Sequence, residues 1–285
     1  MLRSLTETDL SEAVRFSECL LGKPESQSYP LFQSPAEIEA EFRLRLCDAN
    51  GGLIGCYARA QLCGVLCYFS IPAEQYLQTT AFLAAEGAEE VYSRFIAHLR
   101  RQHPGFTALI GLSGENISAA SALADAGFLL TEASADLRLT RAAFRPTALP
   151  FSALRRIGTR EFDSYAAFHD AHFGKTYWNA ARLRQEADAW YIFAYAPDGI
   201  IQGSIFMNVQ NDTAEIFGFA FETAEHAKRA ALPLLSHALQ TVLSENPVIE
   251  SVVFFADEND AAILHAATAC GFTAHSRYRL YESVL

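Results

Sequence analysis

The chain repeats itself, and that repeat limits the fold more than any single motif does. Residues 2 to 9 read LRSLTETD and residues 154 to 161 read LRRIGTRE. Each is a short apolar strand running into Thr and acidic residues. Thr8 or Asp9 is placed to cap a first helix, and Thr159 its counterpart. The halves also end alike, ENISAASALADAGFLL against ENDAAILHAATACGFTA. Each is an Asn or Asp cap, an Ala-rich helix and a Gly-Phe step. Gly127 and Gly271 suit the left-handed residue that closes a helix. Strands are expected to start at Phe128 and Phe272, and a further strand follows in each half, at 134–140 and 276–284.

The middles agree in outline. GGLIGCYARA and QLCGVLCYFSI read as a strand pair, TTAFLA as a third strand, 85–102 as a helix and FTALIGLS as the next strand. In the second half WYIFAYA and IIQGSIFMNV flank Pro197-Asp198-Gly199, a hairpin signal. Gln210-Asn211-Asp212 makes the next turn, and TAEIFGFAF follows as a strand. Residues 224–244 read as a long helix and VIESVVFFA as a strand. This order predicts an α/β (α+β) architecture of two tandem domains. Each is a mixed, mostly antiparallel sheet flanked by helices, with parallel pairing where the long helix crosses over. Residues 1–140 form the first domain and 153–285 the second. RAAFRPTALPFS, with two prolines and no alternation, reads as a linker at 141–152.

Composition supports two cores. At 285 residues, 51 % hydrophobic and 19 % charged, disorder is excluded. The net charge of -11 disfavours nucleic acid and suits a cationic partner such as an amine, while also being common in cytosolic proteins. No CxxC pair gives zinc spacing. Cys63 and Cys67 are an even number apart on one strand and should share a face, as reduced core side chains or as a redox pair. His169 and His172 stand at helical spacing without an evident third ligand, so a packed or surface face is expected rather than a metal site. The first residues lack a basic start followed by an apolar run, and no apolar stretch nears the roughly 20 residues a bilayer needs. The expected compartment is the cytoplasm.

This doubled order of elements resembles the GNAT N-acetyltransferase superfamily over nearly the whole chain. The resemblance implies that the fourth strand of a domain splays from the fifth, and that the pantetheine arm of acetyl-CoA, the co-substrate, lies along the exposed edge. A Q/R-x-x-G-x-G/A loop then opens a helix and offers its amides to the pyrophosphate. Here the strand ends in Phe219, Ala220 and Phe221, and the loop falls on His226, Ala227, Lys228, Arg229, Ala230 and Ala231. Ala231 fits the pattern. Arg229 stands where glycine is usual and would obstruct a close approach. Against this, Lys228 and Arg229 offer positive charge, which is unfavourable beside a helix N-terminus unless an anion is present. In the first half the same register falls on Gly87, Ala88, Glu89, Glu90, Val91 and Tyr92. Two glutamates there would repel phosphate, so this half is expected to be degenerate.

Asn116 and Asn259 match the asparagine that often contacts the cofactor in the family; a plain helix cap is the alternative. The tyrosine serving many members as general acid is missing. Leu123 and Ala267 stand in its place, with His265 nearby. Glu215 sits where some members carry a glutamate base, although a polar strand residue facing water would read the same. Tyr278 and Tyr281 on the last strand are candidate donors to the leaving thiolate, with Tyr278 preferred. Tyr177 and Trp178 lie where the family lines its acceptor pocket. The resemblance thus implies an acyl-CoA-dependent N-acyltransferase, acetyl by preference, acting on a small amine from the second domain. The other reading is a catalytically silent binding or sensor module. A monomer and a homodimer both stay open, since a tandem pair can replace a dimer.

Overall fold

The computed structural model describes residues 1–29, 31–87, 90–147, 153–174 and 176–285. Of the expected first-half loop, Ala88 and Glu89 lie outside these residues, as do residues 148–152 of the expected linker.

The first half runs β1 (Leu2–Ser4), α1 (Leu10–Glu18), α2 (Pro35–Cys47), β2 (Gly51–Ala58), β3 (Gln61–Ile71), β4 (Tyr76–Ala84), α3 (Glu90–Gln102), β5 (Thr107–Ser113), α4 (Ile117–Asp125) and β6 (Leu129–Thr140). The second runs β7 (Leu154–Arg156), α5 (Phe162–Phe173), α6 (Ala180–Gln185), β8 (Trp190–Tyr195), β9 (Gly203–Gln210), β10 (Thr213–Phe221), α7 (Ala224–Glu245), β11 (Ser251–Asp257), α8 (Ala261–Cys270) and β12 (Thr273–Val284). Asp198, Gly199 and Asn211 take positive φ in the two turns of the second half, and Gly127 and Gly271 take it after α4 and α8. Asp9, one of the two expected residues, stands at the N-cap of α1 but makes no side-chain bond there, and Thr159 does not cap α5. Thr6 and Asp9 close a capping box on a short 3-10 turn, and the residue before α5 is Glu161, whose side chain makes no cap bond.

The compact units differ from the sequence halves. One comprises residues 1–133 together with 276–285, the other residues 134–275. Each half ends in one continuous twelve-residue strand, β6 or β12, where two strands were expected. No Gly, Pro or Asn-Gly interrupts LLTEASADLRLT or TAHSRYRLYESV, so nothing in either stretch turns the chain back. In the first unit β5 pairs antiparallel with the end of β12, Tyr278 opposite Ser113 through Val284 opposite Thr107. In the second unit β11 pairs antiparallel with the end of β6, Ser251 opposite Thr140 through Asp257 opposite Ser134.

Within the first unit, α3 and α4 cover one sheet face with Leu66, Phe82, Phe95 and Ile110. The helices α1 and α2 cover the other with Phe42, Val65 and Cys67. The shared face expected for Cys63 and Cys67 is not found. The ladder between β2 and β3 slips at Cys56/Tyr57, leaving Cys63 as the extra residue of a bulge. That flips its side chain toward the α3 side, while Cys67 points toward α1 and α2. All six thiols are free.

The second unit has α7 and α8 on one face and α5 and α6 on the other. Pro233 interrupts the backbone bonding of α7 at a cost of about 3 kcal/mol. Complete burial of Leu234, Leu235, Leu239 and Val242, at about 1.5–3 kcal/mol each, outweighs it. Residues 141–147 do not run free as a linker. Arg141 donates to the carbonyls of Leu243, Asn246 and Ile249, closing the end of α7. Thr147 N–H donates to Ser236 Oγ at 2.8 Å. Among the described residues no helix is long and apolar enough to cross a membrane.

Candidate functional site

Strand β10 alternates. Ala214 and Ile216 face α7, while Phe217 faces the aromatic core under α5 and α6. It pairs in parallel with β11 only from Thr213 to Ile216, opposite Ser251 to Phe254. Beyond Ile216 its ladder with β9 continues to Phe221, with a bulge between Ile216 and Gly218. The two parallel strands therefore stop pairing at this bulge, and β10 runs on for five residues, 217–221, before the loop that leads into α7. Gly218 is required here, since a Cβ would meet the Phe206 ring at 2.3 Å and the Phe173 ring at 2.7 Å.

The register aligns five residues across five strands: Trp190, Asn208, Glu215, Val253 and Arg138. Directly opposed residues share a face, so this row lies on the α5 and α6 side. Glu215 lines a cavity of about 250 Å³ with Asn208, Gln210, Asn211, Asp212, Thr213 and Phe217. Burial raises its carboxyl from 4.5 to about 7. The Arg138 guanidinium opposes that rise and Asp136 adds to it. Among the described residues Phe217 is the one aromatic lining residue, and behind it Trp190 lies 5.1 Å from Phe217 and Trp178 4.8 Å from Trp190 between ring centroids.

Trp178 is fixed from behind by His169 of α5. His169 is fully buried. Its Nε2 lies 2.7 Å from the Trp178 carbonyl and its Nδ1 2.8 Å from Tyr165 Oη. Only an Nε2–H tautomer satisfies both, with the tyrosine donating to Nδ1. Burial lowers the imidazole pKa and keeps it neutral. Asp170 accepts from Ala180 N–H at 2.9 Å, tying down the same loop. Tyr177 is more exposed and lies under the Arg182 guanidinium at 4.0 Å.

At the start of α7, Thr223 caps the helix by accepting from His226 N–H at 3.2 Å. Among the described residues the N–H groups of Ala224 and Glu225 have no acceptor. Lys228 and Arg229 are exposed, so Arg229 does not plug the corner as its bulk threatened. Ala227, Ala230 and Ala231 are buried, with Ala230 and Ala231 in the core under the helix. Phe219 is buried against Phe254, and Ala220 and Phe221 are partly buried at the end of β10. His226 is half-buried, its ring 6.1 Å from Tyr195.

Two expected site residues stand elsewhere. Tyr278 belongs to the first unit, packed edge-on against Tyr29 at 4.9 Å, and burial pushes its phenol far up. Glu215 belongs to the second unit, whose share of β12 ends at His275. Asn259 is exposed and turned back on Asp257, to which its N–H and Nδ2 donate at 2.8 and 3.1 Å. The cap of α8 is Asp260, which accepts from Ile263 N–H at 3.0 Å. Ala267, in the tyrosine's place, is fully buried. His265 is exposed on α8. Sequence reasoning missed Arg138 and Asp136, which precede the expected linker. Only the register of β6 against β11 connects them to Glu215.

The corresponding gap in the first unit is filled by the chain itself. Strands β4 and β5 pair only from Tyr76 to Gln78. Beyond that, Tyr29 N–H donates to Gly111 O at 3.0 Å and Ser113 N–H to Gln27 O at 3.4 Å. On the opposite side Phe82 N–H donates to Ser28 Oγ at 2.7 Å. Residues 27–29 thus sit between the strands as an inserted bridge. Asn116 caps α4 and secures the insert by donating to the Gln27 carbonyl and Tyr92 Oη. Glu25, Glu86 and Glu115 line a cavity of about 200 Å³ beside it. Among the described residues no isolated strand bridge like that at Ser28 occurs in the second unit. Replacing Ser28 by Ala strands the buried Phe82 N–H, at a cost of about 1–3 kcal/mol. A matching drop in the urea midpoint of the first unit is expected.

Comparison with known proteins places this architecture. No protein-family model matches the chain, and no curated protein matches it. Solved structures do. A GCN5-related N-acetyltransferase from Sphaerobacter thermophilus aligns over 99 % of this chain and 95 % of its own, with TM-score 0.69 and 12 % identity. A tandem GNAT protein of the clavulanic acid biosynthesis pathway aligns over 99 % and 98 %, with TM-score 0.58 and 14 % identity. A GNAT-family acetyltransferase from Colwellia psychrerythraea aligns over 99 % of both chains, with TM-score 0.52 and 13 % identity. The chain therefore has the GNAT acetyltransferase fold, in its tandem form.

Proposed function

We propose that this protein is an acyl-CoA-dependent N-acyltransferase that moves an acetyl group from acetyl-CoA to the amine of a small acceptor, with the second unit as its active half. The observation that carries the reading is the coincidence of three features in that unit. Parallel strands part after Ile216, an uncluttered helix start follows at Ala224, and a half-buried carboxyl raised to about 7 faces a mostly polar cavity bounded on one side by Phe217. The co-substrate's pyrophosphate would meet the amides of Ala224 and Glu225 and the charges of Lys228 and Arg229. Its pantetheine arm would follow Phe219 to Phe221.

In the reaction the neutral amine attacks the thioester carbonyl carbon, the N–C bond forms, and the C–S bond breaks. Glu215 takes the proton from nitrogen, and the departing thiolate is protonated from solvent or from that acid. A carboxyl near 7 suits such a base at neutral pH, and the surrounding acidity suits a cationic acceptor before it loses its proton.

Calorimetric titration with acetyl-CoA tests the co-substrate site. Micromolar affinity is expected in the native protein, falling at least about tenfold in Lys228→Ala/Arg229→Ala. Thiol release over a panel of amines tests transfer. The silent binding module draws support from Asn259 facing Asp257 and from Ala267 in place of a phenol. Binding without thiol release on any amine would favour it, and no binding at all would end the acyltransferase reading.

A further inference from the structure

We propose that Arg138, clamped by Asp136 on β6, is a positioning residue for Glu215, so that the candidate base of the second half of the sequence is governed by two residues of the first. This deepens the proposed function and rests on it for the role of Glu215, although the electrostatic coupling stands by itself.

The geometry comes from register. Val253 lies opposite Glu215 on one side and opposite Arg138 on the other. Arg138 and Glu215 therefore project from the same face two strands apart, about 10 Å at the backbone. A guanidinium on its flexible stem spans most of that distance. Asp136 lies two residues earlier on the same face of β6. It is fully buried and takes both forks of the guanidinium, Nε at 2.6 Å and Nη2 at 2.8 Å. The pair is bidentate and one partner is dry, the geometry that gives an ion pair a fixed direction. Arg138 is thereby held on Asp136, and among the described residues no ion pair or hydrogen bond joins it directly to Glu215. A closed pair would hold Glu215 permanently ionised and occupied. An arginine held at a distance supplies positive potential while leaving the carboxylate oxygens open to a substrate proton.

The other groups facing Glu215 are few. Asp212 comes from the β9–β10 turn, Asn208 and Gln210 come from β9, and Val253 of β11 is apolar. The aromatic side contributes Phe217 and, through it, Trp178 and Trp190. Arg138 is the only cation among these groups, and Asp136 and Asp212 are the anions.

The test reads the Glu215 carboxyl directly in the full-length protein. Carbon-13 side-chain resonances of glutamate are titrated by NMR, and the Glu215 signal is assigned from its loss in Glu215→Gln. Arg138→Gln is expected to move the midpoint up by about 1 pH unit, and Asp136→Asn to move it down. Arg138→Lys keeps the charge and should leave the midpoint near the native value, which separates an electrostatic effect from a folding defect. Opposite shifts from the two neutralising variants support the proposal. Unmoved midpoints, or shifts of the same sign in both, overturn it. If wild type releases no thiol from any acyl-CoA while the opposite shifts persist, the acyltransferase reading falls and the coupling remains. If transfer is active and the midpoints do not move, only the coupling falls.

Discussion

Replacing Glu215 by Gln is expected to stabilise the second unit above pH 7 while removing acyl transfer. Burial places the carboxyl at about 7 in the fold against 4.5 ordinarily, a displacement equivalent to about 3 kcal/mol. The sign follows from which state binds the proton more tightly. Below about 4.5 the group is protonated in folded and unfolded chains alike, and its burial is uncharged. Between 4.5 and 7 the unfolded chain releases the proton first, so the fold loses stability as pH rises. Above 7 the loss is complete. Gln keeps the shape and cannot ionise, so urea unfolding at pH 8 should show the variant ahead by a few kcal/mol, and at pH 4 the two should coincide. Transfer should rise through pH 7 in the native protein as the base ionises, and should fall by about 10² to 10⁴ in the variant. A difference in stability that does not change with pH would refute the buried-carboxyl account, and undiminished transfer would refute the catalytic one. A carboxylate that costs stability at working pH and survives is the trade expected of a functional group.

The repeat, the element order and the closing glycines were legible because they rest on local chemistry. Gly271 must take φ of 102° where α8 ends, and Pro197-Asp198-Gly199 can hardly do anything except turn. What escaped depended on partners distant in sequence. Cys63 and Cys67 obey the two-residue alternation only if no bulge intervenes, and the bulge is set by how β2 pairs across from it. Gln27, Ser28 and Tyr29 look like ordinary loop residues, and their insertion between β4 and β5 is visible only where their hydrogen bonds end. Arg138 reads as a polar position on a strand of the first half. Nothing local in that strand says it will line up with Glu215, because the chain gives no sign that β6 leaves the unit it began in.

Deleting residues 276–285 should therefore unfold the first unit, which is otherwise built from the opposite end of the sequence, and spare the second. The last ten residues supply the ladder along β5 from Thr107 to Ser113, and Leu285 exchanges backbone bonds with Gly105 and Phe106. Ser276 Oγ meets Tyr29 Oη at 2.5 Å, and the ring of Tyr278 lies over Gly111 at a spot where a Cβ would approach it to 3.0 Å. Tyr281 and Leu285 pack on the core that contains Ile110 and Leu112. Removing the strand opens an edge of β5, unpairs its amides and exposes that apolar row. At about 1 kcal/mol per net hydrogen bond plus the lost aromatic burial, the damage is comparable with the 5–15 kcal/mol that holds a typical domain together. The insert at 27–29 depends on β5 and should be lost with it. Hydrogen exchange read by mass spectrometry should show peptides from β4, β5 and residues 27–29 losing protection in the truncated chain. Peptides from α7, β10 and β11 should keep it, because the second unit is complete at His275. Retained protection in β5 would mean that the terminal strand is dispensable, and the exchange of strands between the two halves would then not be what holds the first unit together.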